Sequence, residues 1–329
     1  MADEKRPIDR LRESAGSMTV GSSDEGPIGS FLVIGDRLLI VKASAVYEVK
    51  FADSIDPDRI NPKIPNTQQK VLLYGSDSPL LGRTLLTANV LLNESRIPMI
   101  NRVAGMERTL AASLDLCAMQ AALEQLEHDH QSVEASLVGQ KLTSGFIMPM
   151  SPELIPGAKA FLQRADHFVQ ALLDVARLFF PTVTHADSLA DHVENSGSPE
   201  QAIQFFQSIA QSIRFVREAR NAMEHPKTDK RIELRDYTLQ PDGKVRSPTI
   251  QLSHPTLGGE AIAVVTWMHD TIEKLSIIFE MSLVHLCYPR AECGDYPVAV
   301  MLLPKDQRST PHVRYSYALR FGEEWAPLG

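Results

Sequence analysis

Cysteine is scarce in this chain. Only three occur in 329 residues, Cys117, Cys287 and Cys293, and no two stand in a C-x-x-C pair. That usage fits a reduced, intracellular compartment better than a disulfide-bonded secreted one, and a cytoplasmic location is expected. Long apolar runs are also missing. No stretch approaches the ~20 residues of a membrane-spanning helix, and the N-terminus lacks a signal-peptide core, so no membrane role is expected. Positive charge is in deficit: 33 Lys and Arg stand against 41 Asp and Glu, a net -8, which argues against coating nucleic acid by bulk charge. Any polyanion must meet a local patch. The sequence contains no G-x-x-x-x-G-K-[ST] loop, no G-x-G-x-x-G after a strand, no H-E-x-x-H and no G-x-S-x-G. These absences argue against nucleotide-binding loops, helical zinc proteases and nucleophile-elbow hydrolases, and no cofactor is expected. What remains is an ordinary globular composition, 43% hydrophobic and 22% charged, long enough for two domains or one large one.

The most informative stretch is Phe205 to Pro226, FFQSIAQSIRFVREARNAMEHP. It reads as the second half of an amphipathic helix running from about Pro199 to Glu224. Ser198 is placed to cap it, Pro199 suits the first helical position, and Gln201 completes a capping box. Phe206, Ile209, Ile213 and Val216 form an apolar seam at alternating spacings of three and four. The next slot holds Arg220, and Met223 resumes the series. A guanidinium on a buried stripe is costly unless it is paired or faces a wet cleft. Asn221 follows it, His225 lies five residues on, and Pro226 stops the helix.

Arg220-Asn221-Ala222-Met223-Glu224-His225 resembles the arginine, polar residue, spacer, histidine signature of HEPN domains. These are small helical domains, often dimeric, and many are metal-independent ribonucleases. The resemblance covers roughly residues 155 to 290. It implies RNA as substrate, a homodimer that shares the site across its seam, and a setting such as a toxin or defence system with a protein partner such as an antitoxin.

The residue types suit that chemistry. RNA can be cleaved by its own 2'-hydroxyl, which needs a group that moves protons near neutral pH and a fixed cation for the phosphate oxygens. His225 and Arg220 supply these, and Asn221, one turn before His225, can position the phosphate or the imidazole. On an ideal helix residues 220 and 225 are about 140° apart, so one pair converges poorly without arginine reach, a relaxed last turn or a second motif across a dimer. Arg214, Arg217, Arg220, Lys227, Lys230 and Arg231 stand against Glu218, Glu224 and Asp229, a local excess of positive charge expected to contact RNA. Two bland readings stand beside this one. Arg220 can pair with Glu224, and His225 can merely end the helix. The rival function is a HEPN-like module that binds RNA, a nucleotide or a protein without cleaving.

The rest of the chain predicts an α+β fold, mainly α. Residues 1 to 29 read as a disordered tail at least to Ser17. Residues 30 to 150 read as an N-terminal α/β region. It has strands over 30 to 51 turning at Gly35-Asp36, a crossing loop over 52 to 70, and helical spacing from Pro79 to Asn93 despite Gly82. A long helix is expected over 102 to 139. Its polar end carries His128-Asp129-His130, histidines that point apart on a helix and read as a solvated end rather than a metal site. Gly139 to Gly157 reads as a domain boundary, opening a unit over 151 to 329. That unit should hold helices over 158 to 180, His185 to Glu194 and 260 to 287. A hairpin over 231 to 253 turning at Pro241-Asp242-Gly243 and a closing strand pair over 297 to 303 and 313 to 321 complete it. Asp166-His167, Asp191-His192 and His269-Asp270 read as ordinary helix-surface neighbours.

Overall fold

A computed structural model describes residues 6–14, 17–140, 143–308 and 310–328, and its architecture is α+β, mainly α. A short helix, α1 (Pro7–Glu13), precedes β1 (Ile28–Ile34), β2 (Arg37–Lys42) and β3 (Val46–Lys50). The first hairpin turns at Gly35-Asp36, where Gly35 takes φ 61°, the left-handed conformation that a glycine-first two-residue turn requires. Residues 52 to 70, read as a crossing loop, contain α2 (Ala52–Ile55) and the start of β4 (Thr67–Leu72), which pairs with β3. The antiparallel order is β1-β2-β3-β4. Leu32, Ile34, Leu39, Val41, Val46 and Leu72 turn one face of this sheet into the main core. On the other face Ile40, Tyr47 and Val49 are covered by Val20 and Met18.

That cover changes the reading of the N-terminal tail. Where described, the segment is tied down. Arg12 reaches Asp53 (3.3 Å) and Asp56 (3.4 Å), Arg59 reaches Asp9 (3.2 Å), and Glu25 is buried against Tyr47 and Lys70. Charges that suggest disorder in isolation find fixed partners more than forty residues along the chain. Residues 1–5 and 15–16 lie outside the described residues.

The stretch with Gly82 is one helical rod: α3 (Pro79–Leu81), a π-helical turn (Gly82–Leu86) and α4 (Thr87–Leu91). A Cβ at Gly82 would strike the side chain and backbone of His312, so the glycine serves close approach rather than helix breaking. The helical body follows with α5 (Arg102–Leu137), α6 (Leu154–Ala176), α7 (Ala186–Asn195) and α8 (Glu200–Glu224). Between α8 and the last helix the chain makes β5 (Arg231–Arg235), β6 (Thr238–Leu239), β7 (Val245–Arg246), β8 (Thr249–Ser253) and β9 (Ile262–Ala263). β5 pairs with β8, β6 with β7, and Gly243 at φ 81° sits in the turn between β6 and β7. Then come α9 (Val264–Cys287), β10 (Val298–Leu302), β11 (Tyr315–Phe321) and β12 (Glu324–Pro327), the last three forming an antiparallel sheet. No helix among the described residues is long and apolar enough to cross a membrane.

Two expectations are modified by packing. α5 and α6 lie against one another, and a single hydrophobic core runs from Leu32 through Phe161, Phe206 and Phe279 to Tyr317. The break over 139 to 157 therefore connects helices that share a core. The polar end of α5 is also less solvated than its composition suggests. His128 is exposed, but His130 places Nδ1 2.8 Å from the Tyr237 hydroxyl and Nε2 3.3 Å from Ser247 Oγ, docking α5 on the β6–β7 insertion.

Candidate functional site on helix α8

The start of α8 differs from the capping expectation. Pro199, at ψ 144°, is the N-cap, no side chain caps the helix, and Ser198 Oγ instead meets Ser196 Oγ at 2.8 Å. Further along, Phe206, Ile209, Ile213 and Val216 are buried, as the periodicity requires. At 3.6 residues per turn the buried line then drifts onto Ala219 and Ala222. Arg220 consequently sits at the border of the seam with its side chain 35% exposed, while the small alanines take the buried slots.

Arg220 faces α6. Its Nη1 donates to Asn221 Oδ1 (3.2 Å), and its Nε lies 4.0 Å from Asp166 Oδ2. Glu224, the partner expected in the bland reading, is engaged elsewhere. Lys159 Nζ lies 3.1 Å from one oxygen and Gln163 Nε2 donates to the other at 2.7 Å. The Lys159 bond first, and that from Gln163 second, hold the Glu224 carboxyl below the usual carboxylate range. Lys159, Gln163 and Asp166 thus run antiparallel to Glu224 and Arg220 as a polar seam along the α6–α8 contact.

His225 has left the helix. Its backbone is at φ -134°, ψ 65°, its N–H donates to the Asn221 carbonyl (2.8 Å), and Pro226 follows. The ring is exposed, with no side-chain partner among the described residues. Next, Lys227 and Lys230 exchange backbone hydrogen bonds in a tight turn that leads into β5. Lys230 Nζ lies 3.1 Å from Glu218, and His254 Nε2 lies 3.2 Å from the same carboxylate oxygen. The Lys230 bond is the main cause that lowers the Glu218 carboxyl. His254 Nδ1 accepts from the backbone N–H groups of Thr256 and Leu257, an arrangement that assigns the ring proton to Nε2, facing Glu218.

The basic patch is more neutral than the linear count suggests. Arg214 pairs with Asp187 (2.5 Å), Arg231 with Glu233 (2.7 Å) and Lys230 with Glu218, while Asp166 stands beside Arg220. Of the six cations, Arg217 and Lys227 have no side-chain partner among the described residues. Asp166, which reads from sequence as a surface neighbour of His167, stands beside Arg220. Its signal in the sequence is the spacing of Lys159, Gln163, Asp166 and Gln170, a polar stripe at intervals of four, three and four along α6. The other histidine–acid neighbours stay local. His192 bonds Thr182 and the Ser188 carbonyl, and His269 lies 3.7 Å from Asp270 at the surface. Among the described residues no three His, Cys, Asp or Glu side chains are grouped to hold a metal ion.

Comparison with family models, with curated proteins and with solved structures gave no match in any of the three.

Proposed function

We propose that residues 155 to 290 form a HEPN-type domain that cleaves RNA without a metal ion. The observation that carries this reading is the exposed imidazole of His225, without a side-chain partner among the described residues and one turn beyond an Asn221 whose amide oxygen is held by Arg220. With its oxygen so occupied, the Asn221 amide presents its N–H groups to a phosphate. The 2'-hydroxyl oxygen attacks phosphorus, the bond to the 5'-oxygen breaks, and the products are a 2',3'-cyclic phosphate and a 5'-hydroxyl. A base takes the 2'-hydroxyl proton and an acid protonates the departing oxygen. One imidazole fills one of these roles at a time, so a second His225 across a homodimer seam completes the site. Arg220 supplies the fixed cation, and Arg214, Arg217, Lys227, Lys230 and Arg231 line the approach of the strand. This activity suits a cytoplasmic toxin or defence protein restrained by an antitoxin-like partner.

The test is to incubate the purified protein with mixed RNA in chelator and to examine the termini. Cyclic phosphate ends that vanish in His225→Ala support the reading; intact RNA, or cleavage only with added Mg²⁺, refutes it. Light scattering checks the assembly, and a monomer with full activity removes the shared site. A second reading, a HEPN-like module that binds RNA, a nucleotide or a protein without cleaving, is favoured by the Asp166 carboxylate beside Arg220, which weakens that cation's pull on a phosphate. Binding of RNA with no cutting selects it.

A further inference from the structure

Of the three arginines on α8, Arg214 and Arg220 have polar partners, and Arg217 has none among the described residues. Arg217 lines a cleft of about 330 Å³ bounded by α6, the start of α7 and α8. Such a volume lies at the small end of ligand pockets. Val169, Leu173 and Ile213 give it an apolar floor, and Gln170 adds one amide from α6. The charged residues lining it, Arg214 and Arg217 against Asp187 and Glu218, balance in number, but Glu218 is also engaged from outside the cleft. Arg214 is engaged by Asp187, and Glu218 by Lys230 and His254, which leaves Arg217 as the lining charge without a partner among the described residues.

The cleft is also in line with the candidate site. Arg217 and Asn221 are one turn apart on the same stripe of α8, and His225 follows four residues later. Arg217 and Asn221 are separated by about 6 Å along the axis. A strand whose reacting phosphate lies at Asn221 and His225, and which runs toward the N-terminal end of α8, passes Arg217 next and meets the cleft. A guanidinium binds a phosphate through paired N–H groups. An apolar floor suits the face of an unstacked base, and a glutamine amide carries both a donor and an acceptor for its edge.

We propose that this cleft seats the nucleotide next to the cleaved linkage, its phosphate on Arg217 and its base over Val169, Leu173 and Ile213 with Gln170 at the base edge. The inference rests on the RNA-cleaving reading above. The experiment uses full-length His225→Ala protein in chelator, titrated with short oligo(A), oligo(U) and oligo(C) by fluorescence anisotropy at several salt concentrations. Adding Arg217→Gln is expected to weaken all three by a similar factor, about tenfold, and to flatten the salt dependence. Adding Gln170→Ala is expected to change the affinity ratios among the three by about threefold or more. Both substitutions lie at accessible positions, so folding is not at stake. If RNA binds but neither variant alters affinity, slope or ratio, the cleft is not on the path. An Arg217 effect with unchanged ratios in Gln170→Ala removes the base seat. If no oligonucleotide binds the His225→Ala protein or the wild type, the RNA reading falls, and this subsite with it.

Discussion

Arg220 Nε lies 4.0 Å from Asp166 Oδ2 across the α6–α8 seam, and the second oxygen of that carboxylate is buried with no hydrogen-bond partner among the described residues. The pair is electrostatic without being hydrogen-bonded, and it competes with any phosphate for the same cation. Asp166→Asn should change stability in urea by less than about 1 kcal/mol, since the arginine is one-third exposed and screened. RNA affinity should rise about two- to fivefold by anisotropy as the competing charge goes. A fall in affinity instead would mean that Asp166 holds Arg220 in its binding pose.

The motif residues make unequal demands. His225→Ala should abolish cleavage with RNA affinity nearly intact, because the ring acts in proton transfer and has no hydrogen-bond or ion-pair partner among the described residues. Arg220→Ala should cost both, by about tenfold or more in affinity for a lost phosphate contact and its hold on Asn221. Gel assays of cleavage beside anisotropy separate the two, and full cleavage by His225→Ala refutes the mechanism.

Glu280, wholly buried on α9, takes a two-pronged bond from Arg314, whose Nε lies 2.9 Å from Oε1. This ties α9 to the chain just before β11. Arg314→Ala leaves a carboxylate buried without its cation and should cost about 3 kcal/mol in urea denaturation. Adding Glu280→Leu should recover much of that loss, because the stranded charge is removed.

Acid should loosen the N-terminal cover. The Lys70 ammonium first, then the Tyr47 hydroxyl, hold the Glu25 carboxyl down at about 2, against an ordinary 4.5. A carboxyl lowered on folding contributes stability that is full above its ordinary value and is lost as pH falls toward the lowered one. The difference in Tm between wild type and Glu25→Gln should therefore be largest above pH 4.5 and close as pH approaches 2. A difference independent of pH across that window would show that the carboxylate charge is not what secures the segment.

Gly82→Ala tests the π-helical turn. The added Cβ would meet the His312 backbone, with the carbonyl carbon 3.0 Å away, so one element must move. Despite alanine's better helix propensity, the substitution should destabilise by about 1–3 kcal/mol. A stabilised variant would show that His312 yields freely.

Local signals in the sequence were enough to place α8. Its apolar repeat runs from Phe206 to Val216 and Pro226 follows the end, so its span could be drawn to within a residue before any packing was known. The β1–β2 turn at Gly35 and the β6–β7 turn at Gly243 were legible for the same reason, because left-handed backbone selects glycine within a few residues. The state of each charge was not. Arg214 meets an acid 27 residues away and Glu218 a histidine 36 residues away, pairings that linear proximity cannot rank. Arg220 moved from the seam to its border because the true helical repeat passes the buried slot to Ala219 and Ala222. The N-terminal segment, polar by composition, is ion-paired where described because Asp53, Asp56, Arg59 and Lys70 are brought to it by the folding of β1 to β4. Periodicity and turn chemistry act over a few residues and are written in order along the chain, whereas charge pairing and close packing depend on distances that exist only once distant segments meet.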